Sequence, residues 1–146
     1  MHPDGRIGSL QIDVSTEADI RQFAGAPDKV ERELWPGIRG RTLIYRCGRK
    51  CETSYSINDK TGKLSDYWTQ SRRFRTEHGS FVGMSAARAA RLERRRPHAG
   101  CGFLLYLYLR ASDRPQKRLF VLGIWTGRIE SIGYLGPHSV YYEGLC

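Results

Sequence analysis

The residues with the most chemistry to offer are four cysteines and four histidines. Cys47-Gly-Arg-Lys-Cys51 sets two thiols facing each other across a tight turn, leaving Cys101 and Cys146 to pair at longer range. Other connectivities exist, and turn geometry alone selects this one. A zinc site would combine Cys47 and Cys51 with Cys101 and His98 or His138. That spacing lacks a Cys-x2-Cys knuckle and leaves one ligand pair missing. The expectation is two disulfides, no metal and no cofactor, which implies an oxidising compartment. No cationic start followed by an apolar core is visible, so a secreted or periplasmic location requires that a signal peptide has been removed.

Hydrolytic chemistry finds less support. His2, His78, His98 and His138 each sit beside Gly or Pro in segments that read as loops or tails. Ser85 and Ser139 have no base near them in sequence, and a nucleophile, a base and an acid can be assembled from almost any chain of this size. There is no Gly-x-Ser-x-Gly elbow, no His-Glu-x-x-His helix and no phosphate-cradling glycine loop. The chain reads as a non-enzyme with no catalytic residues.

The elements that would position a binding surface are written in a pattern that occurs twice. From Tyr55 to Trp68, two β-prone runs flank a turn carrying Asn58-Asp59 and Gly62. An echo runs from Phe120 to Gly133, with Thr126-Gly127-Arg128-Ile129 standing where the first copy has Thr61-Gly62-Lys63-Leu64. Upstream, Ile12-Asp13-Val14-Ser15 and Val82-Gly83-Met84-Ser85 each open a helical pattern. The chain is therefore read as two helix-then-hairpin units. Residues 7–70 form the first and 80–136 the second, with a disordered leader over 1–6, a linker over 71–79 and a tail over 137–146.

Within the first unit, Ile7 to Val14 reads as an extended lead-in. Ser15-Thr16-Glu17 starts a helix that gathers Thr16, Ile20, Phe23 and Ala24 on one face. Asp28 to Arg41, with Trp35-Pro36-Gly37, reads as a loop, and Thr42 to Cys47 as a strand. In the second, Ser85 caps a helix whose Ala86, Ala89, Ala90 and Leu92 share a face. Phe103, Leu105, Leu107 and Leu109 then alternate with Leu104, Tyr106, Tyr108 and Arg110 in the clearest strand of the chain. Helix and strand signals are segregated rather than alternating, so the fold class is α+β with antiparallel sheet.

At 146 residues, with 40% apolar composition, three Trp, five Phe and eight Tyr, the chain can bury a real core. The net charge of +9 makes nucleic acid, an anionic membrane surface or an acidic protein surface the natural partner classes. Arg94-Arg95-Arg96 ends a helix, where cations complement the carbonyl dipole, and reads as a solvated helix end. The longest apolar run, Phe103 to Leu109, is too short to cross a bilayer as a helix. For nucleic acid, the Tyr-rich strand lacks the glycine-flanked aromatic consensus of a stacking platform.

Ile7-Gly8-Ser9-Leu10, the Ser-capped helix ending in Gly25-Ala26-Pro27, the cysteine-bearing strands and the second helix-then-sheet unit resemble the secreted beta-lactamase inhibitory protein fold. They are also similar to the outer-membrane assembly lipoproteins of the SmpA/OmlA type, which carry one such unit. The resemblance covers most of residues 7–135. It implies helices on one face of an antiparallel sheet and a concave open face that binds a protein. The first-unit cysteine spacing is tighter than the family's, Arg is more abundant, and no inhibitory residue is matched, so beta-lactamase inhibition is not carried over.

Two functions remain in view. The first is an exported, non-enzymatic protein-binding module for an unidentified protein with an acidic surface. The alternative is a basic protein for nucleic acid or anionic membranes. With Phe103, Leu105, Leu107 and Leu109 facing the helices, and Leu64 and Ile129 inward, period-two alternation predicts that Tyr67, Tyr106, Tyr108, Arg110, Arg128, Ile132 and Tyr134 line the open sheet face. Tyr and Arg are the residues most enriched at binding hot spots.

Overall fold

The computed structural model describes residues 1, 5–35, 38–96, 98–99, 105–108, 119–125 and 127–137. Among them are two helices and ten strands, eight of which form one antiparallel sheet. The α+β expectation holds.

The chain opens with a small hairpin, β1 (Arg6–Ile7) and β2 (Leu10–Gln11), so part of the expected leader is ordered. Gly5 is buried and its carbonyl accepts the Ile12 amide at 3.3 Å. Helix α1 (Glu17–Ala24) follows from a capping box: the Thr16 hydroxyl accepts the Asp19 amide, and the Asp19 carboxylate accepts the Thr16 amide at 2.7 Å. A four-strand meander comes next: β3 (Lys29–Trp35), β4 (Ile38–Gly48), β5 (Cys51–Asn58) and β6 (Lys63–Thr69). Then come α2 (Ala86–Glu93), β7 (His98–Ala99), β8 (Leu105–Tyr108), β9 (Leu119–Trp125) and β10 (Arg128–Leu135). The strand order is β3-β4-β5-β6-β10-β9-β8-β7, so the two meanders meet through their last strands.

The loop expected over Asp28 to Arg41 is instead a hairpin. Lys29 to Trp35 pairs with Ile38 to Ile44 residue for residue. β3 is an edge strand, and its Lys-Val-Glu-Arg-Glu run carries the charges that keep an edge from pairing further. Charge hid it from a search for apolar alternation.

Each helix start is tied to a hairpin by a pair of backbone bonds, similar in the two cases but with acceptors one position apart. The Asp13 amide donates to Leu64 O at 2.8 Å and Leu64 N to Ser15 O at 2.8 Å; Gly83 donates to Ile129 O at 2.7 Å and Ile129 to Met84 O at 2.9 Å. Asp13 and Gly83 both hold a positive φ, 62° and 96°, which Gly adopts freely and Asp tolerates. Residues 71–79, expected as a linker, contribute an Arg75–Phe81 bridge before α2 as β1–β2 does before α1.

One apolar cluster joins both helices to the sheet: Ile20 and Ala89 pack with Leu43, Tyr55, Ile57, Leu64, Tyr67, Ile129, Ile132 and Tyr134. On α2 the inward face is Ala86, Ala89, Ala90 and Glu93 rather than Leu92, which is exposed. Helical spacing puts position 93 a turn beyond Ala89 and Ala90, and the residue there is a carboxylate. Its burial is made tolerable by partners: Thr76 Oγ1 donates to it at 2.5 Å and the His78 Nδ1 lies 2.8 Å away.

Candidate functional site

The residues expected to form one open surface are divided by the fold. Tyr67 and Tyr134 are 1% exposed and Ile132 is fully buried. The two tyrosines sit opposite each other where β6 pairs β10, their rings stacked with centroids 6.0 Å apart. The expected outward placement of these three fails for one reason: each hairpin contains a β-bulge. Ile57 pairs with Leu64 but Ser56 with Asp66, skipping Ser65; Ile124 pairs with Ile129 but Gly123 with Ser131, skipping Glu130. One extra residue inverts the alternation beyond it, which returns Tyr67, Ile132 and Tyr134 to the core.

Arg128 precedes the bulge and is exposed, and its guanidinium donates to Gly83 O at 2.8 Å. It braces the loop before α2. Tyr106 and Tyr108 lie in β8 opposite Gly123 and Val121. Arg110 lies outside the described residues, as do Cys101 and Cys146. Cys47 and Cys51 are joined to each other, which removes the zinc reading for that pair.

The disulfide closes the β4–β5 turn and lies between two adjoining clefts. The first, about 480 Å³, has an aromatic wall of Phe23, Tyr45, Tyr55 and Phe74. The second, about 630 Å³, is lined by Lys50, Arg72 and Glu130 among others. Arg46, Cys47, Ser71 and Arg73 line both, so the two form one surface feature.

Each wall is fixed by local bonding. The segment after β6 is held by Gln70 N to Glu52 O at 2.9 Å, Ser71 N to Thr69 Oγ1 at 3.0 Å and Arg73 N to Ser71 Oγ at 3.3 Å. On the opposite wall the Tyr45 hydroxyl donates to Gly25 O at 3.1 Å, and the Arg46 amide donates to Asp28 at 2.6 Å. Tyr45 and Tyr55 meet edge to face, and burial pushes both phenols above their usual pKa, keeping them neutral. Each cleft also has one carboxylate in its lining, Asp28 in the first and Glu130 in the second, against the cations Arg46, Lys50, Arg72 and Arg73. Among the described residues, the side chains of Arg46, Lys50, Arg72 and Arg73 form no ion pair.

Sequence reasoning missed this cluster because its members come from β4, the disulfide turn and the segment after β6. The one local signal was the Gly-Arg-Lys inside the cysteine pair.

No family model matches the sequence, and no curated protein matches it. Among solved structures, an extracellular protein containing an SCP domain from Bacillus anthracis str. Ames is similar in fold. The TM-score is 0.58 at 7% identity, covering 95% of this chain and 50% of that one. The likeness is of fold, and this chain spans half the length of that protein.

Proposed function

We propose that this chain is an exported, non-catalytic module that binds a protein through an acidic surface, using the basic cleft beside Cys47–Cys51. The observation that carries this reading is the gathering of Arg46, Lys50, Arg72 and Arg73 along one cleft without ion-pair partners among the described residues. Like charges held together repel, and a surface that keeps them is readily explained by a ligand of opposite sign. Export is supported by the disulfide, which forms and persists in oxidising compartments, and by the extracellular character of the fold neighbour. The beta-lactamase inhibitory protein resemblance supports a protein partner. The similar helix starts and bulges support the finer view that the fold is two tandem helix-then-sheet units.

The test compares the wild-type chain with a variant carrying Arg46→Gln, Lys50→Gln, Arg72→Gln and Arg73→Gln. A control carries glutamines at the exposed Arg32, Arg39, Arg88 and Arg91. In pull-downs from the native extracellular fraction, one protein should be retained by the wild type and the control and lost by the cleft variant. Equal retention by all three removes the cleft from the function. Nuclease-sensitive capture, or sedimentation with anionic vesicles in preference to protein, moves the assignment to a basic nucleic-acid or membrane binder.

A further inference from the structure

The aromatic and basic clefts share a boundary, and that composite character narrows the kind of acidic partner. Resting on the function proposed above, we infer that the pair of clefts binds a linear acidic segment carrying one large apolar anchor. The anchor occupies the cleft walled by Phe23, Tyr45 and Phe74, and the carboxylates run past Arg46 and Arg73 towards Lys50 and Arg72.

Three observations favour that occupant. The aromatic wall is available: Phe23 is 38% exposed, and Tyr45 and Phe74 are half-buried. Leaving such surface in water is unfavourable, and an apolar side chain seated there relieves it. The cations, by contrast, come from three separate segments, β4, the disulfide turn and the segment after β6. The amides of Ser71 and Arg73 in the wall are already bonded within the protein, so they do not supply the convergent N–H cradle that a phosphate group seeks. Carboxylates spaced along a chain fit this distribution, since each needs only a side-chain cation.

Single-stranded nucleic acid also combines rings with negative charge, but it stacks successive bases on ring faces. Here Tyr45 and Tyr55 meet edge to face at 79°, and the basic cleft has no aromatic residue among its described lining. One anchor position followed by charge alone matches a peptide.

Fluorescence anisotropy with labelled synthetic peptides tests this directly. The probe is a short peptide with one Phe beside a run of glutamates; its partners replace that Phe by Ser, or every Glu by Gln. An oligothymidylate of similar length is the competing ligand class. The Phe peptide should bind roughly tenfold or more tightly than the Ser peptide. Phe23→Ala should erase that advantage and leave the Ser peptide's weak binding unchanged, with Phe23→Leu retaining part of it. Circular dichroism melts of both variants verify that the helix remains folded. Equal affinity for the Phe and Ser peptides, both lost in the cleft-charge variant, overturns the anchor and spares the acidic-partner reading. Tighter binding of the oligothymidylate than of either peptide overturns both.

Discussion

Strand β4 carries Arg41 and Arg46 five positions apart, and the two belong to opposite kinds of charge environment. At the corner where α1 meets β4, Arg41 donates to Glu17 at 2.7 Å and to Asp59 at 2.7 Å, and Arg21 joins Glu17 at 2.7 Å. The hydrogen bond from Arg41, followed by that from Arg21, holds the Glu17 carboxyl below its usual pKa, and Glu17 in turn raises Arg41. At the other end of the strand, Arg46 lines a cleft with three further cations and has no ion-pair partner among the described residues. The corner uses its charges to fix a helix on a sheet. The cleft leaves them open to a ligand, at a small cost in repulsion.

The largest expected effect comes from the element that separates the clefts. Replacing Cys47 and Cys51 together with Ser should lower stability by about 2 kcal/mol, the modest value of a bridge closing a short loop. Urea denaturation measures it, and the corner should be unaffected. Loss of helical signal in the folded variant would mean that the two regions are not independent.

Arg41→Ala should cost about 1 kcal/mol, because a partly exposed network is worth little more than its best pair. The effect should depend on pH. A carboxyl whose folded pKa is depressed stabilises fully above its unfolded pKa, and that stabilisation is lost as pH falls through the folded value. The gap between wild type and Arg41→Ala should therefore be full at neutral pH and close on acidification below the usual carboxylate range. Thermal melts across that range decide it; a constant gap would mean that Arg41 acts by packing.

The smallest effect belongs to the cleft. Removing Arg46, Lys50, Arg72 and Arg73 as glutamines should leave stability unchanged or raise it by a few tenths of a kcal/mol, on the order of screened surface repulsion. Added salt should stabilise the wild type more than this variant. A clear loss of stability would show that the cations are structural, and the contrast with the corner would fail.

What the sequence disclosed was local. The first helix start, capped by Thr16 rather than by Ser15 as expected, the Ser85 cap, Gly62 in its turn and the Cys47–Cys51 bridge each depend on neighbours within a few residues. The faces of the strands were hidden by single residues: Ser65 and Glu130 leave no mark in composition, yet each reverses the alternation that follows. The cleft was hidden for a different reason. Its cations approach one another only after β6 carries the chain back beside the disulfide turn, while Arg94-Arg95-Arg96 advertises a cluster in sequence at the end of α2, where Arg94 serves as a left-handed cap with φ of 53°.

The tyrosine pair at the centre of the sheet also bears on the order in which the molecule assembles. Each meander joins strands through connections that are short in sequence, so its loops close at little entropic cost. Tyr67 meets Tyr134 only by closing a loop nearly half the length of the chain, and the four-residue ladder from Asp66–Leu135 to Thr69–Ile132 is the β-sheet pairing between the halves. Loop closure of that span is repaid only after both partners present formed edges. The ring stack therefore belongs to the late, native side of the folding barrier, and substitutions there should chiefly hasten unfolding while refolding proceeds at its usual pace.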